Sequence, residues 1–303
     1  MRVLVELLSL IGRHLTVATA ARVGGTLGMV AWRLGVRRRL VSETLARVMK
    51  LRGLERAAVA RQSYASIGAT MLAIWTVGGR DGLERHVTVA NPRWLAHLRK
   101  RHGGLVIATS HLGDWDGAAL GVAPLVPRLL VYAKSQGGSM DETINRLRQA
   151  TGGEVLITRR GDRTGAVTVL RALRDGAVVG LLADQRPRID EGLAAWFLGE
   201  PTYVHPGPAF FAKRLGLPVL PGFSVHRRSG EVAVYFGRPI RVDHLEEPAA
   251  SQVVMDALGA CIASVPGQYF WQHNRFKDRA ELPLRTDDAW RGGVAWLRNP
   301  PGN

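Results

Sequence analysis

His111 and Asp116 are separated by four residues in the segment His111-Leu-Gly-Asp-Trp-Asp116. Histidine is the side chain whose ordinary pKa lies near neutrality, so it can take up a proton at pH 7. A carboxylate on its other ring nitrogen would fix the tautomer and stabilise the imidazolium that forms, as in hydrolase triads. The pair therefore points to general-base chemistry. The spacing alone is weak evidence. With 9 His and 25 acidic residues in 303 positions, about 0.7 such pairs arise by chance. The chain contains His111/Asp116, His226/Glu231 and His273/Asp278. Context separates them. His226 to Glu231 brackets a polar turn between two apolar runs, and His273 to Asp278 lies in a basic segment, HNRFKD. His111 follows the β-branched run Leu105-Val106-Ile107-Ala108-Thr109, which reads as a buried strand, and Gly113 lets the backbone turn sharply after it. Without chemistry, the same residues are a polar strand end and a helix-capping aspartate.

The rest of the chain must supply the frame for this strand end. Val41, Leu45 and Val48, then Tyr64, Ile67, Met71 and Ile74, recur at helical spacing. Strands are predicted over 86–90, 129–133, 154–158, 177–183, 218–225 and 231–236. Helices are predicted from Asn91-Pro92 through Leu98 and over 141–150, 164–173, 208–215 and 251–265. Strands alternating with helices imply an α/β fold, a mostly parallel central sheet with helices on both faces. In such sheets ligands bind beyond the carboxyl ends of the strands. His111, Lys134, Asp184 and Gln185 stand at such ends, and Arg148 and Arg159 in the connections nearby. Each also has an ordinary reading, as a solvated charge, a cap or a turn residue. The apolar segments Trp196-Phe197-Leu198 and Phe210-Phe211 suit either a groove for an apolar chain or the core.

Composition bounds the partners. The formal charge is +16, which favours an anionic membrane surface, an acidic protein or a phosphorylated substrate. Nucleic acid is disfavoured, because no zinc spacing, aromatic RNA-binding strand or helix-turn-helix pattern stands out. Cys261 is the single cysteine, so no internal disulfide forms, and its apolar helical setting suits a small buried hydrophobe. Residues 1–40 are apolar but interrupted by charges. Their uncharged runs fall far below the ~20 residues of a transmembrane helix. Two short helices lying at the membrane interface fit, with Trp32 at the headgroup level and Arg37-Arg38-Arg39 on anionic lipid. A pair of core-packing helices fits comparably. The expected organisation is thus 1–40 as membrane-associating helices, 41–278 as the main domain and 279–303 as a polar tail.

Several segments together resemble a known family. HLGDWD at a strand end, DQRP after a second strand, FLGEPTYVHPGPAFFAKRLGLPVLP and the tail PGQYFWQHNRFK are similar to the lipid A biosynthesis acyltransferases, the late lauroyl and myristoyl transferases, which are related to the phosphatidylinositol mannoside acyltransferases. The resemblance covers residues 1 to 278. It implies a glycerolipid acyltransferase-like fold on the cytoplasmic face of the inner membrane. It implies transfer of a fatty acyl chain from an acyl carrier protein or coenzyme A thioester to a hydroxyl of an anionic glycolipid, foremost a lipid A precursor in lipopolysaccharide biosynthesis. A phosphatidylinositol mannoside or another phospholipid is the alternative acceptor. It implies no cofactor and no metal. His111 and Asp116 fall on the family's catalytic motif, and Arg148 on the arginine of the following helix. Asp184 falls on a later acid, a glutamate in the mannoside branch that is implicated with the histidine. Either Asp116 or Asp184 could therefore orient His111. Lys134 matches a basic position more loosely. A glycerol-phosphate acyltransferase would carry a PEGT-like motif, and a Ser hydrolase a Gly-x-Ser-x-Gly elbow; neither is present. A non-enzymatic basic protein binding lipid or nucleic acid is the outside alternative.

Overall fold

The computed structural model describes residues 10–90, 92–134, 143, 145–147, 149, 154–158, 164–227 and 230–285, with the backbone alone at 133–134 and 155–158. After a helix that ends at 10–12 come α1 (Val17–Arg33), α2 (Arg38–Val48) and α3 (Gly53–Ala73). Then follow β1 (Val87–Val89), α4 (Pro92–His102), β2 (Leu105–Thr109), α5 (Trp115–Val122), β3 (Leu129–Lys134), β4 (Glu154–Thr158), α6 (Thr164–Arg174) and β5 (Val178–Leu182). A hairpin, β6 (Leu193–Phe197) and β7 (Glu200–Val204), precedes α7 (Gly207–Leu215), β8 (Val219–His226), β9 (Val232–Phe236) and α8 (Glu247–Ser264).

Seven strands form one sheet in the order β1-β9-β8-β2-β5-β3-β4. Neighbours run parallel except β8 and β9. The central strand β2 is buried on both faces, and its side chains alternate between two cores. Leu105 and Ile107 pack with Leu95, Leu98 and Val122 on the α4–α5 side. Val106 and Ala108 pack with Val169, Ala212 and Met255 on the side of α6, α7 and α8. That is the continuous apolar run of a parallel strand covered on both faces. Cys261 belongs to the second core and is fully buried, which pushes its thiol up to about 12.

Within residues 1–40 a helix ends at 10–12 and a second, α1, spans Val17–Arg33. The glycines of α1 serve a close helix contact. A Cβ on Gly24 would fall 2.1 Å from the Gly68 carbonyl oxygen of α3, and one on Gly28 2.0 Å from that of Tyr64. Trp32 faces inward at 9% exposure, edge-on to Tyr64 with ring centroids 5.4 Å apart, and Arg38 covers its ring at 4.4 Å. The indole, expected at the headgroup level, is therefore part of the α1–α3 packing. Among the described residues no helix is long and apolar enough to cross a membrane.

Candidate active site

Parallel pairing of β2 with β5 builds the site. The register sets Thr109 opposite Leu182, and Ala183 N donates to Thr109 O at 3.0 Å. Two residues beyond each partner stand His111 and Asp184. Their side chains meet, Nδ1 to Oδ1, at 2.8 Å. Asp184 is 1% exposed, and the imidazole remains 15% exposed. Burial works against the carboxylate, but the charge and hydrogen bond of His111 outweigh it and hold Asp184 below its ordinary pKa. With Asp184 ionised, Nδ1–H donates to it. Nε2 is then left with a lone pair for a proton.

The loop that carries His111 is pinned from three sides. Phe270 N donates to His111 O, Gly113 N to Gln268 O and Ser224 Oγ to Leu112 O, each at 3.0 Å. Thr70 Oγ1 of α3 donates to Gly113 O at 2.9 Å. Gly113 has φ +63°, and a Cβ there would lie 2.2 Å from Ser224 O. No other residue fits this turn. Aromatic rings frame the imidazole: Trp115 edge-on at 4.8 Å and Phe270 at 6.2 Å between centroids.

The carboxylates of the motif divide their tasks. Asp114 is the N-cap of α5, accepting from Gly117 N at 2.7 Å. It is fully buried, its Oδ2 has no hydrogen-bond partner among the described residues, and burial pushes it up to about 7. Asp116 follows in the first turn of the helix at 6% exposure. The acid on His111 Nδ1 is Asp184, from another strand. Gln185 follows it, half-buried. Lys134 closes β3; its side chain lies outside what the structure describes, as do Arg148 and Arg159.

Of the segments offered as an acyl groove, Phe197, Leu198 and Phe211 are core residues at 0%, 2% and 4% exposure. Phe210 is on the surface. Two cavities, of about 900 and 940 Å³, lie among the described residues. One runs along α2 and is lined by Arg38, Arg39, Arg47 and Arg56. The other lies between α1, α3 and the segments around His226 and Gln268. His111 lines neither. The other two spaced pairs are not paired in the same way. His226 Nε2 contacts Thr70 Oγ1 at 2.9 Å, and Asp278 pairs with Arg186.

Residues from the tail also reach the site without having been singled out. Tyr269 bridges to Leu112 in antiparallel fashion. Its phenol lies beside Asp184, whose charge adds to burial in pushing it well above its ordinary value. Phe270, His273 and Arg275 belong to the same stretch. The segment PGQYFWQHNRFK was noticeable as aromatic and basic; its place over the β2 end was not.

An imidazole hydrogen-bonded to a buried acid, at the carboxyl edge of a mostly parallel sheet, defines the class: an α/β protein with its candidate site where such sheets bind ligands. The chain belongs to the bacterial lipid A biosynthesis acyltransferase family, which it matches over residues 4–278. Among individual proteins it is similar to phosphatidylinositol mannoside acyltransferase of Mycobacterium tuberculosis, from strains CDC 1551 / Oshkosh and H37Rv. With each it is 31% identical over 119 residues. That stretch covers 39% of this chain and 37% of the relative's length.

Proposed function

We propose that the protein transfers a fatty acyl chain from a thioester, on acyl carrier protein or coenzyme A, to a hydroxyl of an anionic membrane glycolipid, a lipid A precursor. The observation that carries this reading is the 2.8 Å contact between His111 Nδ1 and Asp184 Oδ1 in a chain of this family. His111 Nε2 takes the proton of the acceptor hydroxyl as its oxygen attacks the thioester carbonyl carbon. The C–O bond forms, the C–S bond breaks, and the departing thiolate takes the proton back from the imidazolium. Asp184 stabilises that imidazolium throughout. No acyl-enzyme is needed.

The surface supports a membrane-bound, anionic substrate. Val23, Leu27 and Val30 of α1, with Leu34 at its C-cap, form an exposed apolar stripe that flanks the buried face carrying Val17, Ala20 and Gly24. Arg33 and Arg37 to Arg39 follow it. We place this face on the inner membrane, cytoplasmic side, with the apolar stripe in the interface and the arginines among the headgroups. The arginine-lined cavity beside it suits phosphate groups or an acidic carrier.

A mannosylated inositol lipid is the second acceptor reading. It is favoured by the 31% identity to phosphatidylinositol mannoside acyltransferases. Mass spectrometry of glycolipids from a deletion strain tests both. A lipid A species lacking one acyl chain, restored by the wild-type protein and not by His111→Ala, is the expected result. Loss of an acyl chain from a mannosylated inositol lipid instead would move the acceptor to the second reading. Restoration by His111→Ala would remove the general-base mechanism.

A further inference from the structure

The outer face of α2 is basic and concave. Val41, Leu45 and Val48 turn into the core at helical spacing, which leaves Arg38, Arg39, Glu43 and Arg47 on the other side. With Gly35, and with Arg56 from the start of α3, they line the cavity of about 900 Å³. Among the described residues that line it, Glu43 is the one acid, and its carboxylate accepts from Arg39 Nε at 2.7 Å. Arg38 lies over the Trp32 ring at 4.4 Å and Arg47 over the Phe276 ring at 5.5 Å. A guanidinium laid on a ring has its plane fixed and keeps its edge N–H groups for an anion. Arg47 Nε also lies 3.5 Å from Glu200. The helix itself starts without a side-chain cap and without an acidic residue in its first turn, so its positive end adds to the same field.

The mouth of the cavity selects the kind of anion. Gly35 stands between Leu34 and Val36, which are 76% and 51% exposed, at the end of the α1 stripe. Acyl chains gain from contact with such side chains, whereas an acidic protein helix would cover them with polar surface. The same helix is tied to the site. Arg37 Nη1 donates to Gln272 O at 2.7 Å, and Arg47 lies on Phe276. Both partners belong to the tail stretch whose Phe270 N donates to His111 O.

We propose that this cavity is the phosphate subsite of the acceptor lipid. Arg38, Arg47 and Arg56 hold a phosphate of the glycolipid, whose acyl chains lie along the α1 stripe. The proposal rests on the reading of the acceptor as an anionic membrane glycolipid. It gives the α2 face to the acceptor and leaves an acidic carrier to dock elsewhere.

The test is equilibrium binding of a phosphorylated lipid A precursor in uncharged detergent micelles, compared with the same lipid after phosphatase treatment. The proteins are the wild type, Arg38→Met/Arg56→Gln and Glu43→Gln. Met keeps a stem over Trp32. The wild type should favour the phosphorylated lipid by roughly tenfold or more. The double variant should lose most of that preference, and its KM for the acceptor should rise by the same factor. Glu43→Gln removes the acid that faces the phosphate and should strengthen the preference. Damage to the fold does not produce such a gain, so Glu43→Gln decides if the double variant does not fold, and the absence of a gain then overturns the proposal. A phosphate preference that is missing in the wild type, or that survives in a folded double variant, overturns it as well. So does a rise in KM for an acyl carrier protein thioester without one for the acceptor, which would make this face the carrier's dock. A wild type that acylates only a mannosylated inositol lipid would sink the identity of the acceptor instead, while the binding preference would still judge the arginines.

Discussion

Asp184 stands 73 residues after His111 in the chain, yet its Oδ1 is 2.8 Å from His111 Nδ1. Asp116, five positions away in sequence, is in the first turn of α5. Asparagine at 184 keeps the size of the side chain but can present an N–H to Nδ1, which favours the tautomer with its proton on Nε2. Asp184→Asn should therefore lower kcat by roughly three to four orders of magnitude, the loss seen when a triad carboxylate is replaced this way. Asp116→Asn should cost less. Steady-state kinetics on both folded variants checks this; a larger loss from Asp116→Asn would make Asp116 the orienter.

That relationship marks the limit of what the chain shows unaided. The run Leu105 to Thr109 is legible as a buried strand because a parallel strand covered on both faces needs an unbroken apolar sequence. Asp184 is legible as a strand-end acid. What joins it to His111 is the β2–β5 register, a long-range pairing with no local signature. The hairpin β6–β7 goes unread for a different reason. Its turn residues, Leu198 (φ +51°) and Gly199 (φ +82°), both adopt the left-handed region that a two-residue hairpin requires. Leucine is a poor signal for such a turn, and the flanking apolar residues mimic a groove. Trp32 looks interfacial by type and is internal by packing, since it meets Tyr64 of α3 only once α1 and α3 have docked.

The turn after His111 should tolerate no side chain. In Gly113→Ala the new Cβ meets Ser224 O at 2.2 Å while the backbone is held at φ +63°. The left-handed conformation alone costs about 1–2 kcal/mol, and relieving the clash must move either β8 or the His111 loop. Denaturant unfolding should show a loss of about 2 kcal/mol or more. Turnover should fall further than stability explains, because the loop that moves carries His111. Wild-type kinetics in this variant would show that the loop's position is unimportant.

The exposed stripe on α1 allows membrane contact to be separated from folding. Leu27 and Leu34 are 56% and 76% exposed, so Leu27→Glu and Leu34→Glu should leave stability within about 0.5 kcal/mol of the wild type. Each removes a side chain worth about 1.5–3 kcal/mol when buried in an apolar phase. Co-sedimentation with anionic vesicles should therefore weaken roughly tenfold or more per substitution, with turnover on a soluble acceptor analogue unchanged. Equal vesicle binding would move the membrane contact to another face.

Asp114 gives a stability signature in pH. Its carboxyl titrates near 3.8 in an unfolded chain and is pushed up to about 7 in the fold by burial. Below pH 4 both states hold the proton, and Asp114 contributes nothing. Between 4 and 7 the folded state holds a proton that the unfolded state has released, so stability falls as pH rises. Above 7 both states are ionised and the loss is constant. Asparagine can still accept the Gly117 N–H that the cap requires and has no proton to lose. Asp114→Asn should gain stability relative to the wild type between pH 4 and 7, levelling off above 7 at a difference of a few kcal/mol, since each pKa unit corresponds to about 1.4 kcal/mol. Urea unfolding of both proteins at pH 4.5, 6, 7 and 8 measures it. A difference that does not change with pH would mean that Asp114 is ionised in the fold, with its second oxygen compensated by a partner beyond the described residues.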